Sequence, residues 1–400
     1  MEYPVSNRMS RIRGSAIREI FKYAADPSVI SLAGGNPAPE LFPNRELAEI
    51  AADLLRNQPV LSLQYGITEG YLPLREAVRD RLLRKEGIGG AEDDLIITSG
   101  GQQGIELATK ILVNEGDTVV VEQPSFIGAL NAFRSYGANL VSVPVEPDGL
   151  DPDALDRVLL QSRNVRFLYT IPTFQNPTGV TMSEEKRRRV YEVARKHNIL
   201  ILEDNPYGEL SFDGSRRKTL KSMDADGRVL YSGSFSKILA PGLRVGYLCA
   251  DRALIRRIVV AKQVSDVHTP MLPQLLAYGY MTRCDLDALI SEMRATYAHK
   301  CAVMLSAMER EFPREITYTR PDGGLFIWCD LGHGIDTLPL AREALAEKVV
   351  FVPGSTFQVD PDAPCSSLRL NYSTVSDERI NEGIRRLGTV FGKALRDCGR

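Results

Sequence analysis

Short apolar runs rich in β-branched residues recur along the first two thirds of the chain, and each follows a stretch of helical character. These runs are residues 94–100, 117–123, 138–145, 165–172, 198–204, 227–235 and 244–250. Most of them lack strict apolar–polar alternation, as expected of strands that helices cover on both faces. A strand, roughly 10–20 helical residues and another strand is the spacing of βαβ units. The pattern predicts an α/β fold with a mostly parallel, helix-covered sheet over residues 60–280.

The hydrophobic pattern changes toward the C-terminus. A long helical region near residues 284–311 is followed by shorter strands, separated by helices and loops, in ITYTRPDGGLFIWCDL, EKVVFVPGSTF and SSLRLNYS. This mixture predicts a smaller α+β domain. We therefore expect an N-terminal segment, 1–45, that joins the small domain, then a large domain, 46–285, and a small C-terminal domain, 286–400.

Composition and charge exclude several classes of protein. The 400 residues include 49 Lys and Arg against 51 Asp and Glu, which leaves no excess of positive charge for nucleic acid or an anionic membrane. The chain has no apolar run long enough to span a membrane, and its N-terminus lacks the apolar core of a signal peptide. The six cysteines form no CxxC pair and the four histidines lie far apart. We expect a cytoplasmic protein without a metal site, and we interpret the basic run 185–190 as the solvated face of a helix.

Two segments at predicted strand ends carry groups suited to a phosphorylated ligand. In SGSFSK, Lys237 follows Ser234 and Ser236, and Arg244 comes shortly after. A lysine that leaves a buried strand is partly desolvated, which favours the neutral amine that forms Schiff bases, while the serines and the arginine suit a phosphate. In TSGGQQG, residues 98–104, glycines open a helix whose N–H groups form an anion site. Taken singly, an ordinary loop lysine also explains the first segment, and a tight turn that needs glycine explains the second.

Two further strand ends carry a carboxylate and an amide. Asp204, with Glu203, closes an apolar strand, where a carboxylate is costly unless a protonated pyridine nitrogen, an arginine or a metal ion faces it. Asn176, in IPTFQNPTG, can donate its side-chain amide to a ligand. Taken singly, a helix-capping aspartate and an ordinary Asn-Pro turn remain open. Together the four segments supply the groups that pyridoxal phosphate requires: a lysine, phosphate donors, a carboxylate for the ring nitrogen and an amide for the ring oxygen.

At the level of motifs, the chain resembles the fold-type I pyridoxal-phosphate aminotransferases of class I/II. The motifs lie between residues 31 and 373 and are SLAGGNPAPELFP, LQYGITEGYLPLREAV, TSGGQQG, PTFQNPTG, EDNPYGEL, SGSFSKILAPGLRVGY, GGLFIW, FVPGSTF and LRLNYS. SAIREI, LQYGITEG and DVHTP are similar to the α-aminoadipate/kynurenine and multisubstrate aromatic subgroup. The resemblance implies a large domain whose sheet binds pyridoxal 5′-phosphate, together with a smaller α+β domain.

The resemblance implies a role for each matching cofactor-site residue. Lys237 would carry the cofactor and move the α-proton of the substrate, and Asp204 would pair with the ring nitrogen. Asn176 and the catalytic Tyr207 would bond to the ring oxygen. The phosphate would be bound by Gly101, Gln102, Ser234, Ser236 and Arg244. Tyr65, in LQYG, is similar to a tyrosine that reaches the phosphate across a dimer interface.

The substrate side of the site is implied in the same way. Arg369, in LRLNYS, matches the arginine that binds the α-carboxylate, and Gly35 and Asn176 would lie close to the substrate. Arg18 matches an arginine that recognises a distal acidic group, and a solvated helix charge is an equal alternative. Phe126 departs from the pattern, because much of the subgroup has a tyrosine stacking on the cofactor there. Phenylalanine keeps the aromatic face and lacks the hydroxyl.

These assignments lead to an expected activity. The chain is expected to be a homodimeric aminotransferase that moves an amino group from an aminoadipate, aromatic or branched-chain L-amino acid to a 2-oxo acid, with 2-oxoglutarate implied by the family. Another reaction at Cα, such as β-elimination, racemisation or oxidative deamination, remains open on the same scaffold. A non-catalytic effector domain of a transcription regulator is the third alternative, although only about 30 residues precede the SLAGG motif.

Overall fold

The computed structural model describes residues 6–10 and 26–398. The helices are Asn7–Ser10, Asn44–Asn57, Pro59–Leu63, Leu72–Glu86, Gly101–Leu112, Ile127–Ser135, Pro152–Gln161, Glu184–Lys196, Arg252–Gln263, Met271–Arg283, Leu286–Glu311, Thr337–Ala346 and Asp377–Cys398. The strands are β1 (Ile30–Ser31), β2 (Asp93–Thr98), β3 (Thr118–Gln123), β4 (Asn139–Glu146), β5 (Gly149–Leu150), β6 (Val165–Thr170), β7 (Leu200–Asp204), β8 (Val229–Ser234), β9 (Gly246–Asp251), β10 (Thr317–Tyr318), β11 (Phe326–Asp330), β12 (Val349–Val350), β13 (Val352–Pro353) and β14 (Ser367–Asn371).

An eight-stranded sheet forms the centre of the molecule, in the order β2-β9-β8-β7-β6-β3-β4-β5. The five neighbouring strands β8, β7, β6, β3 and β4 pair in parallel. At one edge, β9 runs antiparallel between β8 and β2, and at the other edge β5 runs antiparallel to β4. The seven apolar runs of the sequence all form strands of this sheet. The predicted mostly parallel sheet and α/β fold class are confirmed.

Helices cover both faces of this sheet, which explains why its strands do not alternate between apolar and polar residues. Along β6, Phe167 and Tyr169 belong to the larger hydrophobic cluster, whereas Leu168 belongs to a second cluster on the other face. Val119 and Val120 divide in the same way along β3. Because both faces bury apolar side chains, these strands carry consecutive apolar residues rather than an alternating pattern.

The C-terminal part forms a second, smaller sheet. Its four antiparallel strands lie in the order β10-β11-β14-β13, and the smaller α+β unit predicted from the sequence is therefore present. The long helix predicted near 284–311 spans Leu286–Glu311, and the Asp285 carboxylate caps it at the backbone N–H of Ala288. β1 pairs in parallel with β12, so the N-terminal segment joins the C-terminal part. The domain limits at residues 45 and 285 remain predictions.

The basic run 185–190 corrects one interpretation. It lies on the helix Glu184–Lys196, as expected, but Lys186 and Arg187 are buried, and Arg187 is only 1% exposed. The Arg187 guanidinium donates to three backbone carbonyls and a threonine hydroxyl on neighbouring segments. The prediction of a solvated face is therefore wrong for these two residues. A run of charges cannot show that acceptors from distant segments converge on one of them.

Among the helices of the described residues, none combines the length and the apolar character that crossing a membrane requires.

Candidate active site

A cavity of about 520 Å³ opens where the central strands of the large sheet end. Asp204 is the last residue of β7 and Ser234 is the last residue of β8, while Asn176 and Phe126 follow β6 and β3. The residues predicted from the sequence that line this cavity are Gly35, Gly101, Gln102, Phe126, Asn176, Asp204, Tyr207, Ser234, Ser236, Lys237, Arg244 and Arg369. Ligand sites are expected at this end of a parallel sheet. The fold therefore collects in one place groups that lie more than three hundred residues apart in sequence.

One end of the cavity suits an anion. The helix Gly101–Leu112 begins there, and its N-cap residue Gly100 has a φ of 81° and provides no capping side chain. A Cβ at residue 100 would lie 2.4 Å from Nη2 of Arg244, so a glycine lets the guanidinium approach the helix start. Arg244 also donates to the Ser236 hydroxyl at 3.4 Å. Free N–H groups, the helix dipole and a guanidinium together suit a phosphate.

At the anion-binding end of the cavity, Gln102 offers its backbone N–H, because its side chain is bonded elsewhere. The Nε2 amide of Gln102 donates to the carbonyl of Gly128 at 2.9 Å, which holds the side chain against the helix that follows Phe126. The Ser234 hydroxyl accepts a hydrogen bond from the backbone N–H of Ser236 at 3.1 Å. The N–H groups of the first helical turn and the two serine hydroxyls are therefore the groups at residues 101–102 and 234–236 that can bind an anion.

Asp204 supplies a carboxylate on the floor of the cavity. It is 5% exposed, and one of its oxygens accepts a hydrogen bond from the Tyr169 hydroxyl at 2.9 Å. Burial raises the pKa of the Asp204 carboxyl to about 6, although the hydrogen bond from Tyr169 opposes this shift. Among the described residues no ion pair involves this carboxylate. A buried carboxylate held only by neutral donors suits a cationic ligand atom.

Lys237 lies across the same cavity. Its Nζ donates to the backbone carbonyl of Gly35 at 2.7 Å. Burial lowers the pKa of the Lys237 amine to about 8, and the positive charges of Arg369 and Arg244 add to this effect. The desolvation expected of a lysine that leaves a buried strand is therefore present. A larger fraction of this amine is neutral near pH 7 than of an ordinary lysine.

Arg369 forms the opposite wall. Its guanidinium donates to Oδ1 of Asn176 and to the carbonyl of Ala33, each at 2.8 Å. The guanidinium carbon lies 4.2 Å from the centre of the Phe326 ring and 5.0 Å from that of Phe357. Burial lowers its pKa to about 10, and Nε is buried without a hydrogen-bond partner among the described residues. A rigid guanidinium with an unused donor suits a carboxylate.

Gly35 and Tyr207 pack close to this arginine. A Cβ at residue 35 would lie 3.1 Å from the Phe326 ring, so a larger residue would press on the ring that contacts Arg369. Tyr207 is 4% exposed and contacts Phe326 edge to face, with ring centres 5.8 Å apart. Burial raises the pKa of the Tyr207 phenol well above its usual value, so the hydroxyl is protonated and can donate. Phe126 is partly exposed, as the predicted stacking residue must be.

One predicted residue, Tyr65, lies apart from the cavity. Tyr65 is 81% exposed, and its ring packs edge to face against His268 at 5.7 Å. It does not line the cavity of its own chain, and this position agrees with its predicted role toward a second copy. Arg18 lies outside the described residues.

The residues present fit pyridoxal phosphate. Arg244, the helix start and the serines would hold its phosphate, and Asp204 would face its ring nitrogen. Lys237 would bind it covalently. The independent sign of fit is the buried Asp204 carboxylate, which the protein supplies with neutral donors and leaves to a cationic atom of a ligand. Among the described residues no cluster of His, Cys, Asp and Glu could hold a metal ion.

Sequence reasoning missed several residues of the site. Phe326 lies in the motif GGLFIW but was given no role, and Ile105, Ile127 and Ile171 form apolar walls. Tyr169 belongs to the strand next to β7, at the position paired with Leu202. Its proximity to the end of β7 follows from strand order, which a single sequence does not reveal.

Similarity to known proteins agrees with this geometry. The family model described as aminotransferase class I and II matches residues 27–387. The chain is 39% identical over 395 residues to aromatic-amino-acid aminotransferase 1 of Thermococcus litoralis, covering 98% of this chain and 94% of that protein. It is 42% identical over 384 residues to 2-aminoadipate transaminase of Thermus thermophilus, covering 95% and 94%. Kynurenine aminotransferase of Pyrococcus horikoshii, solved in complex with PMP, superimposes with a TM-score of 0.94 at 38% identity, covering 98% and 97%.

Proposed function

Because this chain belongs to the class I and II aminotransferases, which are pyridoxal-phosphate-dependent enzymes, we propose that it moves an amino group from an aromatic, branched-chain or aminoadipate-type L-amino acid to 2-oxoglutarate. The observation that supports this proposal best is Arg369, which lines the cavity that holds Lys237, packs against two phenylalanine rings and has an Nε without a partner among the described residues. Such a group binds a carboxylate shared by every amino acid and 2-oxo acid.

Each residue then has a defined task. Bound pyridoxal phosphate supplies a sink for the electron pair left at the substrate Cα. Arg369 binds and orients the α-carboxylate, while Phe326 and Phe357 fix the guanidinium and exclude water from it. Nζ of Lys237 accepts the proton from Cα, for which its lowered pKa is suited. The Asp204 carboxylate holds a proton on the ring nitrogen by its charge.

The walls of the cavity support a choice of donor. The partly exposed Ile127, with the nearly covered Ile105 and Ile171 beside it, gives the cavity an apolar lining for a substrate side chain. Aromatic and branched-chain donors therefore gain by burial. A distal carboxylate needs a further cation, and Arg18 is proposed for it from the resemblance alone. The same cation would serve the second carboxylate of 2-oxoglutarate.

The choice of substrate can be tested by half-reactions, in which the cofactor absorbance is lost after addition of one amino acid and returns after addition of one 2-oxo acid to the aminated cofactor. Arg18→Ala should lower kcat/KM for aminoadipate and for 2-oxoglutarate about 10–100-fold, the cost of one charged hydrogen bond. Phenylalanine, leucine and pyruvate, which lack a distal carboxylate, should stay within about threefold of wild type. Arg8→Ala, an exposed arginine near the same terminus, is the control. Equal losses for aminoadipate and leucine in Arg18→Ala would refute the distal role.

A homodimer is proposed from the exposed apolar side chains around Tyr65. Val60, Leu63 and Ile67 are exposed in the segment before and after it, and Val264 and Val267 are exposed in the segment that carries His268. The contact between Tyr65 and His268 makes these two segments neighbours. A cluster of exposed apolar residues suits an interface with a second copy of the chain.

The dimer can be tested by charge substitution on this surface. Leu63→Asp should yield monomers in sedimentation or light scattering and should weaken cofactor retention about tenfold or more, because Tyr65 of the partner would be lost from the phosphate. Leu160→Asp is a matched control, since Leu160 is 68% exposed and Leu63 is 72% exposed. A dimeric Leu63→Asp protein, or a monomeric wild type that binds the cofactor tightly, would contradict the proposal.

The proposed compartment is the cytoplasm. All six cysteines are free thiols, and three of them, Cys249, Cys301 and Cys329, are buried. Free thiols at low density are the usual state in a reducing compartment.

A further inference from the structure

A buried glutamate lies next to the cofactor site but does not itself line the cavity. Glu122, near the end of β3, is 1% exposed. Its Oε1 accepts from the Thr170 hydroxyl at 2.5 Å, and its Oε2 accepts from the backbone N–H of Ile171 at 3.2 Å and from Nε2 of Gln175 at 3.0 Å. The carboxylate thus joins the end of β3 to the loop that follows β6.

Gln175 adds hydrogen bonds to Pro124, after β3, and to Thr178, in its own loop. Besides Glu122, its Nε2 donates to the carbonyl of Pro124 at 2.8 Å. Its Oε1 accepts from the backbone N–H and the hydroxyl of Thr178, at 2.9 and 2.8 Å. Both N–H bonds and both acceptor positions of this amide are therefore used. Gln175 is 2% exposed, so water cannot replace these bonds without rearrangement.

The two residues that follow these contacts face the cofactor site. Asn176 comes directly after Gln175, and Phe126 comes two residues after Pro124. Both line the cavity. Asn176 would bond to the ring oxygen and Phe126 would stack on the ring, yet they lie on separate loops. The network of Glu122 and Gln175 links those loops directly.

We propose that Glu122 and Gln175 are positioning residues that fix Phe126 and Asn176 relative to one another, and so determine how the cofactor ring is held. The inference rests on the roles proposed above for Phe126 and Asn176. It adds two residues that touch neither cofactor nor substrate.

The glutamate acts through its acceptor positions rather than its charge. Its three donors are neutral groups, and burial raises the pKa of the Glu122 carboxyl to about 6, with the three hydrogen bonds opposing this shift. In Glu122→Gln, the amide oxygen can keep the bonds from Ile171 and Gln175, and the Thr170 hydroxyl can rotate to accept from the new NH₂ group. In Glu122→Leu, all three donors lose their acceptor in a buried place.

The readouts are the affinity for pyridoxal phosphate and the pH at which the absorbance of the bound cofactor changes. An amide that donates to the ring oxygen stabilises its negative charge, so displacing Asn176 should raise that pH. We expect Glu122→Leu and Gln175→Met to weaken cofactor binding about tenfold and to raise the transition by about half a unit or more. Glu122→Gln should stay within about threefold of wild type, and this rescue separates hydrogen bonding from charge.

Two further variants make the test decisive. Asp117→Leu removes another acid with low exposure just before β3, which accepts from the N–H of Asn114 and from Arg166, and it should lower thermal stability without moving the cofactor transition. Asn176→Ala should raise the transition at least as far as Glu122→Leu does. If Asn176→Ala raises the pH of the cofactor transition but neither Glu122→Leu nor Gln175→Met raises it, the inference is wrong and the role of Asn176 stands. If Asn176→Ala leaves it unchanged, the role proposed for Asn176 fails and the inference fails with it.

If Glu122→Gln changes cofactor binding and the cofactor transition as much as Glu122→Leu does, the proposal is also overturned, because the effect would then come from the charge of Glu122 and not from its hydrogen bonds. If Glu122→Leu does not fold, Gln175→Met provides the test, because it removes the donor of the hydrogen bond between Gln175 and Glu122.

Discussion

Lys237→Ala should lower the rate of amino transfer at least about 10³-fold, because it removes both the covalent anchor of the cofactor and the group that moves the α-proton. Within the described part of the chain the side chain makes one hydrogen bond, to the Gly35 carbonyl, and so the variant should fold with a thermal midpoint close to wild type. The measurement is a single-turnover half-reaction with phenylalanine, together with mass spectrometry of borohydride-treated protein. Reduction should attach the cofactor to the wild type at residue 237 and to no residue of the variant.

Lys237→Arg separates charge from nucleophilicity. It keeps a positive charge in the cavity but cannot supply a neutral amine, so it should be as inactive as Lys237→Ala. In the wild type, covalent capture of added cofactor by the apoenzyme should become faster as the pH rises through about 8, where the Lys237 amine loses its proton. More than a tenth of the wild-type half-reaction rate in Lys237→Ala would contradict its role.

Asp204→Asn should slow exchange of the substrate α-proton about 10²–10³-fold, because the charge that keeps the ring nitrogen protonated is lost at a buried place. In the absence of a cation, burial already raises the pKa of this carboxyl to about 6. A cationic ring nitrogen opposite it should hold it ionised at neutral pH. The exchange rate is measured by proton NMR in deuterated solvent, at cofactor concentrations that saturate the variant.

Two neighbours of Asp204 provide the controls. Glu203 is equally buried, but its carboxylate accepts from the backbone N–H groups of Leu220 and Lys221. Glu203→Gln should therefore change stability more than exchange. Tyr169→Phe removes a hydroxyl that donates to Asp204 and should slow exchange by about tenfold at most. An Asp204→Asn protein that exchanges within tenfold of wild type would show that the ring nitrogen does not need this charge.

The fold and the residues at strand ends could be predicted from the sequence because both depend on local pattern. Apolar runs fixed the strands, and polar groups such as Asp204 and Asn176 stand where those runs end. Parallel strands place their carboxyl ends at one edge, so neighbouring motifs meet without any knowledge of packing. The motif resemblance added the substrate residues, Arg369 among them.

Residues that act through distant contacts could not be predicted. Glu122 follows three valines and gives no sign that Thr170 and Gln175 will meet it. Phe326 contacts Arg369 only because β11 and β14 pair in the smaller sheet. Arg187 looked like one solvated charge in a basic run, whereas carbonyls from separate segments bury it. Their roles depend on strand order and loop packing, which no local period records.

The central claim is that these residues direct the cofactor toward amino transfer rather than another reaction at Cα. The most direct measurement is a product balance for the wild-type enzyme given L-phenylalanine and 2-oxoglutarate. The account predicts one phenylpyruvate and one glutamate for each phenylalanine consumed, with neither ammonia nor peroxide formed. Release of ammonia or peroxide in proportion to the 2-oxo acid, without glutamate, would contradict it.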